Sequence, residues 1–549
     1  MAVERQYVQG EAWTRSLVER ALVGGRAFWF YLHTLVWPSG LTFIYPRWSI
    51  DPHAWWQYLF AVAAVLSLVG LYLARSRIGR GPLVAALCYA AVLAPVSGIF
   101  NLYFLQYSFV ADRFAYLPGV PWMALAAAAG AALAGHTGAR IAAVAGTALV
   151  CLLALLSMQR CAVFETPGAL WTDTVAKNPE SWLANNNLGV LLAQEGDTDA
   201  AIERYNAAAR AQPSHPETYL NLANIMQANG NIAEATRLYA KALQLQPEYP
   251  TAHYNLGLMW AHQGQMQDAI DAYTQALHDR PTYPEAHNSL GAAYQAQGNY
   301  DGALAEYTAA LQARPDFAAA HFNLASLKAV QGQFTESIAH YEEALRLQPD
   351  DPDGHVNLGN VLRVLGETDA AVAQYQAALQ LNPAHAEAHN GLGVALAGQG
   401  KLDEATTQFQ EAVRAKPDYP EAHSNLGNAL QARRAFNDAI AQYEMAIRLR
   451  PAYAEAHNNV GTALIALGRT DDAIAQFEQA VQASPDLLQA RSNLADALLA
   501  RSRYAEAIAQ YEEVLRVRPG DTDAQRHLQQ ARSAQQGQRQ PAQQQSTGR

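Results

Sequence analysis

A proline recurs every 34 residues through most of the chain: Pro179, Pro213, Pro247, Pro281, Pro315, Pro349, Pro383, Pro417, Pro451, Pro485 and Pro519. A spacing that never slips excludes one continuous globular core, because each period must be a supersecondary unit stacked on copies of itself. Other columns keep the same register. With the first unit started at Trp182, the eighth position is Gly or Ala from Gly189 to Ala495. The twentieth is Ala except for Ser337, and an aromatic ring stands at the twenty-fourth from Tyr205 to Tyr511. Small residues let two helices approach closely, and a ring fills the space beside them. The first helix of a unit stops near a glycine, as at Gly196, Gly230 and Gly264, which suits a left-handed cap. The second stops before the ladder proline, which cannot continue a helix.

These columns resemble the tetratricopeptide repeat, a 34-residue helix–turn–helix unit. The resemblance implies an all-α fold, with ten repeats over 182–521 forming an α-solenoid wound as a right-handed superhelix. A connector and half repeat at 161–181 lead into it, with Trp171 and Pro179 already in register. A capping helix is expected over 522–535. There Gln529 replaces the usual small residue and gives the polar outer face that the end of a stack requires. The last residues, 536–549, are low-complexity and are expected to be disordered.

Half of all residues are apolar and only 16% are charged, a balance that points to a membrane part. The N-terminal region supplies it. Residues 1–54 begin with charges and become aromatic, with Trp29, Trp37 and Trp48 around a Pro38–Gly40 interruption. Tryptophan favours the headgroup zone, so this stretch reads as an interfacial or re-entrant segment. Residues 55–160 read as a transmembrane helix bundle with spans at 55–74, 82–100, 116–134 and 140–158, each near the ~20 residues a bilayer needs. Arg75, Arg77 and Arg80 follow the first span. By the positive-inside rule they place that loop in the cytoplasm and the repeats on the extracytoplasmic side. Abundant alanine and a preference for arginine over lysine point to a bacterial genome, hence to an inner membrane and a periplasmic solenoid.

Charge is divided unevenly: residues 1–178 carry 12 Lys+Arg against 7 Asp+Glu, and the remainder 26 against 42, so net +5 and −16. An acidic solenoid lacks the clustered cations that phosphate contacts need, so the expected partners are a polypeptide client and the lipid bilayer, not nucleic acid. The sixth repeat position names the candidate site: Asn187, Asn221, Asn255, Asn323, Asn357, Asn425, Asn459 and Asn493, with Ser289 and Gly391 as the exceptions. Asparagine is a mediocre helix former, but its amide both donates and accepts, as a peptide group does. The column is similar to the asparagine ladder in the repeats of the O-GlcNAc transferases, which grips extended peptides by their main chain. That likeness implies a peptide-binding groove, the alternative being a solvated or intra-repeat structural asparagine.

The fourth position holds His253, His287, His321, His355, His389, His423 and His457. Equivalent residues on stacked helices lie ~8–10 Å apart, too far to share a metal ion, so these rings are expected to pack or to line the groove. No cofactor motif is present. Residues 26–58 and the Asp112–Pro118 element, DRFAYLP, resemble the membrane region of glycosyltransferases of the GT-C type that carry the same repeat. In that class a polyprenyl-phosphate sugar is the donor. Asp51 and the Asp112–Arg113 pair lie near expected membrane boundaries and are candidates for contact with a lipid phosphate, the alternative being an interfacial ion pair or a helix cap. The catalytic acid of that class lies in an earlier outer loop with no counterpart here. The first expectation is therefore a membrane-anchored scaffold rather than an enzyme, the alternative being a truncated or split glycosyltransferase.

Overall fold

The structure is a computed structural model. It describes residues 16–36, 41–42, 45, 48–93, 116–137 and 139–546. The chain divides into two compact units, Met1–Asp279 and Arg280–Arg549. The described residues are mostly helical, and no strand occurs among them.

The first unit holds the apolar N-terminal helices and the first three repeats. Helix α1 (Leu17–Val36) lies against α2 (Tyr58–Ile78). Their approach is close because Gly25 faces Ala61: a Cβ on Gly25 would come within 2.6 Å of the Ala61 backbone. Trp29 Nε1 donates to the Phe60 carbonyl at 3.0 Å. Helix α3 (Gly81–Leu93) returns to the same cluster, where the buried Tyr89 hydroxyl donates to the Phe28 carbonyl at 2.7 Å. Helices α4 (Tyr116–Thr137) and α5 (Ala139–Val163) follow.

Of the four expected spans, one is long and apolar enough to cross a bilayer among the described residues: Trp55–Ile78, of which only 6% is buried. The described part of the second is the 13-residue α3, and the rest of it, 94–100, lies outside the described residues. The third is a 22-residue helix. A four-helix membrane bundle is therefore not shown. Asp112 and Arg113 also lie outside the described residues, as do 37–40 within the aromatic segment.

Helix α6 (Pro167–Lys177) starts at Thr166, whose hydroxyl accepts from the Ala169 amide at 3.1 Å. It is the second half of a repeat. The repeats then alternate a 13-residue A helix with a 14-residue B helix. The first pair is Trp182–Gln194 and Thr198–Ala211. The B helices of the first unit end with Met266–Asp279.

The second unit repeats the same pair from Pro284–Ala296 and Tyr300–Ala313 to Leu488–Ala500 and Tyr504–Val517. Its core is the column contact read from the sequence. A Cβ on Gly427 would lie 2.5 Å from the Tyr443 ring, and one on Gly461 the same distance from Phe477. The turn between A and B needs a left-handed residue, supplied at Gly298, Gly332, Gly366, Gly400 and Gly468 with φ between 75° and 85°. Arg434 and Ser502 hold the same turn position at φ 62° and 60°, a conformation that is costly for a residue with a Cβ. The final helix runs from Thr522 to Ser546, past Gln535. Its Gln, Arg and Ala content carries good helix propensity.

Candidate functional site

The site is built from the A helices, and two of its columns begin at the ladder proline. Each proline follows the last turn of a B helix, and its carbonyl is left without an intrahelical partner. The fourth residue of the next A helix supplies that partner. His253 Nε2 donates to the Pro247 carbonyl at 2.9 Å, His321 to Pro315 at 3.0 Å, His389 to Pro383 at 3.0 Å and His457 to Pro451 at 3.1 Å. Where the position is not histidine the bond persists. Asn185 donates to Pro179 at 2.8 Å, the Tyr219 hydroxyl to Pro213 at 3.0 Å, Arg491 to Pro485 at 2.8 Å and Gln525 to Pro519 at 2.7 Å. The histidines, expected to pack or line a groove, thus have a more specific role, closing each joint between repeats.

The second ring nitrogen reaches the B helix of its own repeat. Nδ1 of His355, His389, His423 and His457 lies 2.7–2.8 Å from the amides of Gln374, Gln408, Gln442 and Gln476. An amide carries both a donor and an acceptor and can meet this nitrogen in either protonation state. His287 differs, because its Nδ1 lies 2.6 Å from a carboxylate oxygen of Glu306 while Nε2 faces the Pro281 carbonyl. Two acceptors flank one ring. The hydrogen bond to Glu306 holds the His287 imidazolium above its ordinary range, against the opposing cost of burial. Among the described residues, no three His, Cys, Asp or Glu gather as metal ligands.

The asparagine column lies two residues further along the A helix. All eight side chains are half-buried, and most are tied to the preceding A helix. In the first unit Asn221 Nδ2 donates to Asn186 at 3.3 Å and Asn255 to Asn224 at 3.0 Å. In the second, Asn323 donates to Asn288 at 3.0 Å, Asn425 to Asn390 at 2.9 Å, Asn459 to Asn428 at 3.0 Å and Asn493 to Asn458 at 2.8 Å. The acceptors are asparagines at the fifth or ninth position. Some are shared: Asn428 also accepts from the Tyr443 hydroxyl at 2.7 Å. Burial pushes the Tyr307 hydroxyl up to about 12, so these phenols stay neutral donors. Each bonded ladder amide commits one N–H to the stack. Asn187 and Asn357 make no side-chain bond among the described residues. The sequence reading missed the acceptors, although a second asparagine one place before or three places after the column was visible at Asn186, Asn288, Asn390, Asn428 and Asn458.

Comparison with known proteins agrees with this architecture. Models of the tetratricopeptide repeat match residues 189–230, 220–284, 288–352, 356–420, 424–487 and 464–532. All of these lie in the repeats, so the resemblance of 26–58 and 112–118 to glycosyltransferases gains no support from them. No curated protein matches the chain. Solved structures similar to it include YrrB, described as a repeat protein with an unusual peptide-binding site, at 26% identity over 34% of this chain and 96% of that one, with a TM-score of 0.29. Yeast Tom70 is 18% identical over 65% of this chain and 96% of its own, with a TM-score of 0.35. A repeat protein from Parabacteroides merdae is 20% identical over 45% and 98%, with a TM-score of 0.37. At these scores the likenesses add nothing to the family match.

The Glu306 contact makes a pH prediction. A histidine whose folded pKa is raised contributes stability that is fully present below its unfolded value of ~6.5 and is lost as pH rises through the folded value. A proton NMR titration of the histidine ring signals should show His287 titrating above ~6.5 in the wild type. The Glu306→Gln variant should bring it back down. A His287 midpoint unmoved by that change would refute the carboxylate's role.

Proposed function

The chain belongs to the tetratricopeptide repeat family, and from that premise we propose that it is a scaffold that binds an extended polypeptide along its A helices. The observation that carries this reading is the half-buried amide column. Asn323, Asn425 and the other bonded members are held in place by one N–H each, which fixes the amide plane without using up the group. The Oδ1 atoms of Asn221, Asn323 and Asn425 accept no side-chain hydrogen bond among the described residues. A fixed amide with a free acceptor and a second N–H matches a peptide group on both sides. Binding of this kind reads the main chain, so it tolerates many client sequences. The acidic balance of the repeats disfavours nucleic acid as an alternative client.

The N-terminal helices anchor this scaffold to a membrane. Trp55–Ile78 is long, apolar and almost wholly outside the protein core, with Leu66 at 62% and Leu73 at 69% exposure. Val144 and Met158 on α5 are as exposed, at 71% and 72%. An apolar surface of this extent marks a membrane or protein contact. Trp55 and Trp56 at one end of the span and Arg75 and Arg77 at the other give it the flanks of an interfacial anchor. With the three further spans expected from the sequence at 82–100, 116–134 and 140–158, the arginine end faces the cytoplasm and the repeats stand on the extracytoplasmic side. The reading does not extend to sugar transfer.

Two measurements test it. Replacing Asn323, Asn357, Asn425 and Asn459 by alanine should weaken binding of an extended peptide by about 30-fold or more, since each neutral hydrogen bond nets at least ~0.5 kcal/mol. The helical circular dichroism should be unchanged, and Asn288→Ala, which removes an acceptor between repeats but no ladder amide, should retain most of the binding. Unaltered affinity in the quadruple variant rules the groove out. For the anchor, a reporter active only outside the cytoplasm, fused after Gln536, should be active, and its cytoplasm-only counterpart silent. The opposite pattern removes the extracytoplasmic reading.

A further inference from the structure

The ladder breaks at Gly391, where a Cβ would come within 2.5 Å of the Tyr375 ring, and a cleft of about 210 Å³ lies beside it. Its lining comes from two neighbouring repeats of the second unit: Asn357, Asn360 and Arg363 from the A helix Pro352–Val364, Asn390 and Gly391 from the A helix Ala386–Gly398, and Tyr419 beyond. The floor has more donors than acceptors. The Asn360 oxygen is occupied by the Tyr375 hydroxyl at 2.7 Å and the Asn390 oxygen by Asn425 Nδ2 at 2.9 Å. The Asn360 N–H groups and the Asn357 amide remain unbonded to any described side chain. Half-buried Arg363 has no ion-pair partner among the described residues, and its Nε is shielded from water without an acceptor. The Tyr375 hydroxyl, raised chiefly by burial, stays neutral and is a hydrogen-bond partner of the Arg363 guanidinium, which therefore has a neutral partner but no charged one.

Two carboxylates stand at the rim. Glu387 is paired with Lys416 Nζ at 2.9 Å, and Asp353 accepts from His385 Nε2 at 3.0 Å, a ring whose Nδ1 accepts from the Ala388 amide and which therefore brings no charge. A buried donor without an acceptor costs the desolvation of that group, and a guanidinium prefers a carboxylate partner in a fork geometry. With about 30 Å³ per water molecule, the cleft has room for one carboxylate-bearing side chain and a little solvent.

We propose that this cleft is a specificity pocket that takes one acidic side chain, Asp or Glu, of the bound polypeptide. The proposal rests on the groove reading for its client but not for its test. The ladder holds the client by its main chain on either side, and the cleft beside Gly391 is the position where a side chain is read. Arg363 supplies the charge, and the Asn357 and Asn360 amides complete the donor set.

The experiment uses the full chain in lipid nanodiscs with ¹⁵N-arginine, and two small probes: N-acetyl-glutamate N-methylamide and its glutamine counterpart. The Arg363 Nε–H signal, identified by its loss in Arg363→Lys, should shift on titration with the acid and respond about tenfold more weakly to the amide, the difference between a charged and a neutral hydrogen bond. An extended peptide with one Glu should likewise bind about tenfold tighter than its Gln twin. Arg363→Gln should abolish that preference, and Arg363→Lys should keep part of it. Equal response to acid and amide, or no response of Arg363 to the acid, overturns the pocket. In either case, retained peptide binding that still depends on the ladder asparagines shows that the groove stands while the pocket falls.

Discussion

The contact between a small residue on the A helix and an aromatic ring on the B helix carries the whole repeat. At Gly257 a Cβ would come within 2.6 Å of Tyr273, and at Gly393 within 2.6 Å of Phe409. The ring therefore lies directly on the backbone of its partner helix. This brings the two helices to a fixed separation, and every other feature depends on it. The ring's hydroxyl, where it is tyrosine, reaches across to the ninth residue of the A helix, as Tyr375 does to Asn360 at 2.7 Å. That residue then becomes an acceptor for the next repeat, as at Asn224 and Asn428. Packing in the core thus positions the polar surface one layer out.

The joint between repeats is polar. The proline ends the B helix and leaves a carbonyl, and the fourth residue of the next A helix answers it. Its identity varies among histidine, asparagine, tyrosine, arginine and glutamine, yet the hydrogen bond is kept throughout. The shared property is a donor that can reach back six residues. Ion pairs add a weaker tie on the outside of the same joint: Arg314 with Glu285 and Arg450 with Glu421, each cation also lying over the ring that precedes the next A helix.

Much of this was legible in the sequence. The 34-residue period fixed the number and phase of the helices, and the small and aromatic columns named the core residues correctly from Tyr205 to Tyr511. The fourth-position histidines were harder, because attention to the ring hid the common donor at Asn185, Arg491 and Gln525. The ladder asparagines were visible, but their ties to Asn288, Asn390 and Asn458 depend on how far one A helix is offset from the next, which no single column reveals. In the N-terminal region, one of the four spans read from hydropathy, within Trp55–Ile78, has the length and apolar character of a bilayer span among the described residues. Gly391 passed as a mere exception, since a cleft is visible only when the neighbours that line it are in place.

The central claim is that the asparagine column reads a polypeptide main chain rather than its side chains. Titrating the protein with one extended peptide, a scrambled version of it, and a version N-methylated at alternate residues separates the two. Scrambling should change affinity only a few-fold beyond the position that meets Arg363, while N-methylation, which removes main-chain donors and leaves every side chain in place, should abolish binding. Strong dependence on sequence with indifference to N-methylation would contradict the account.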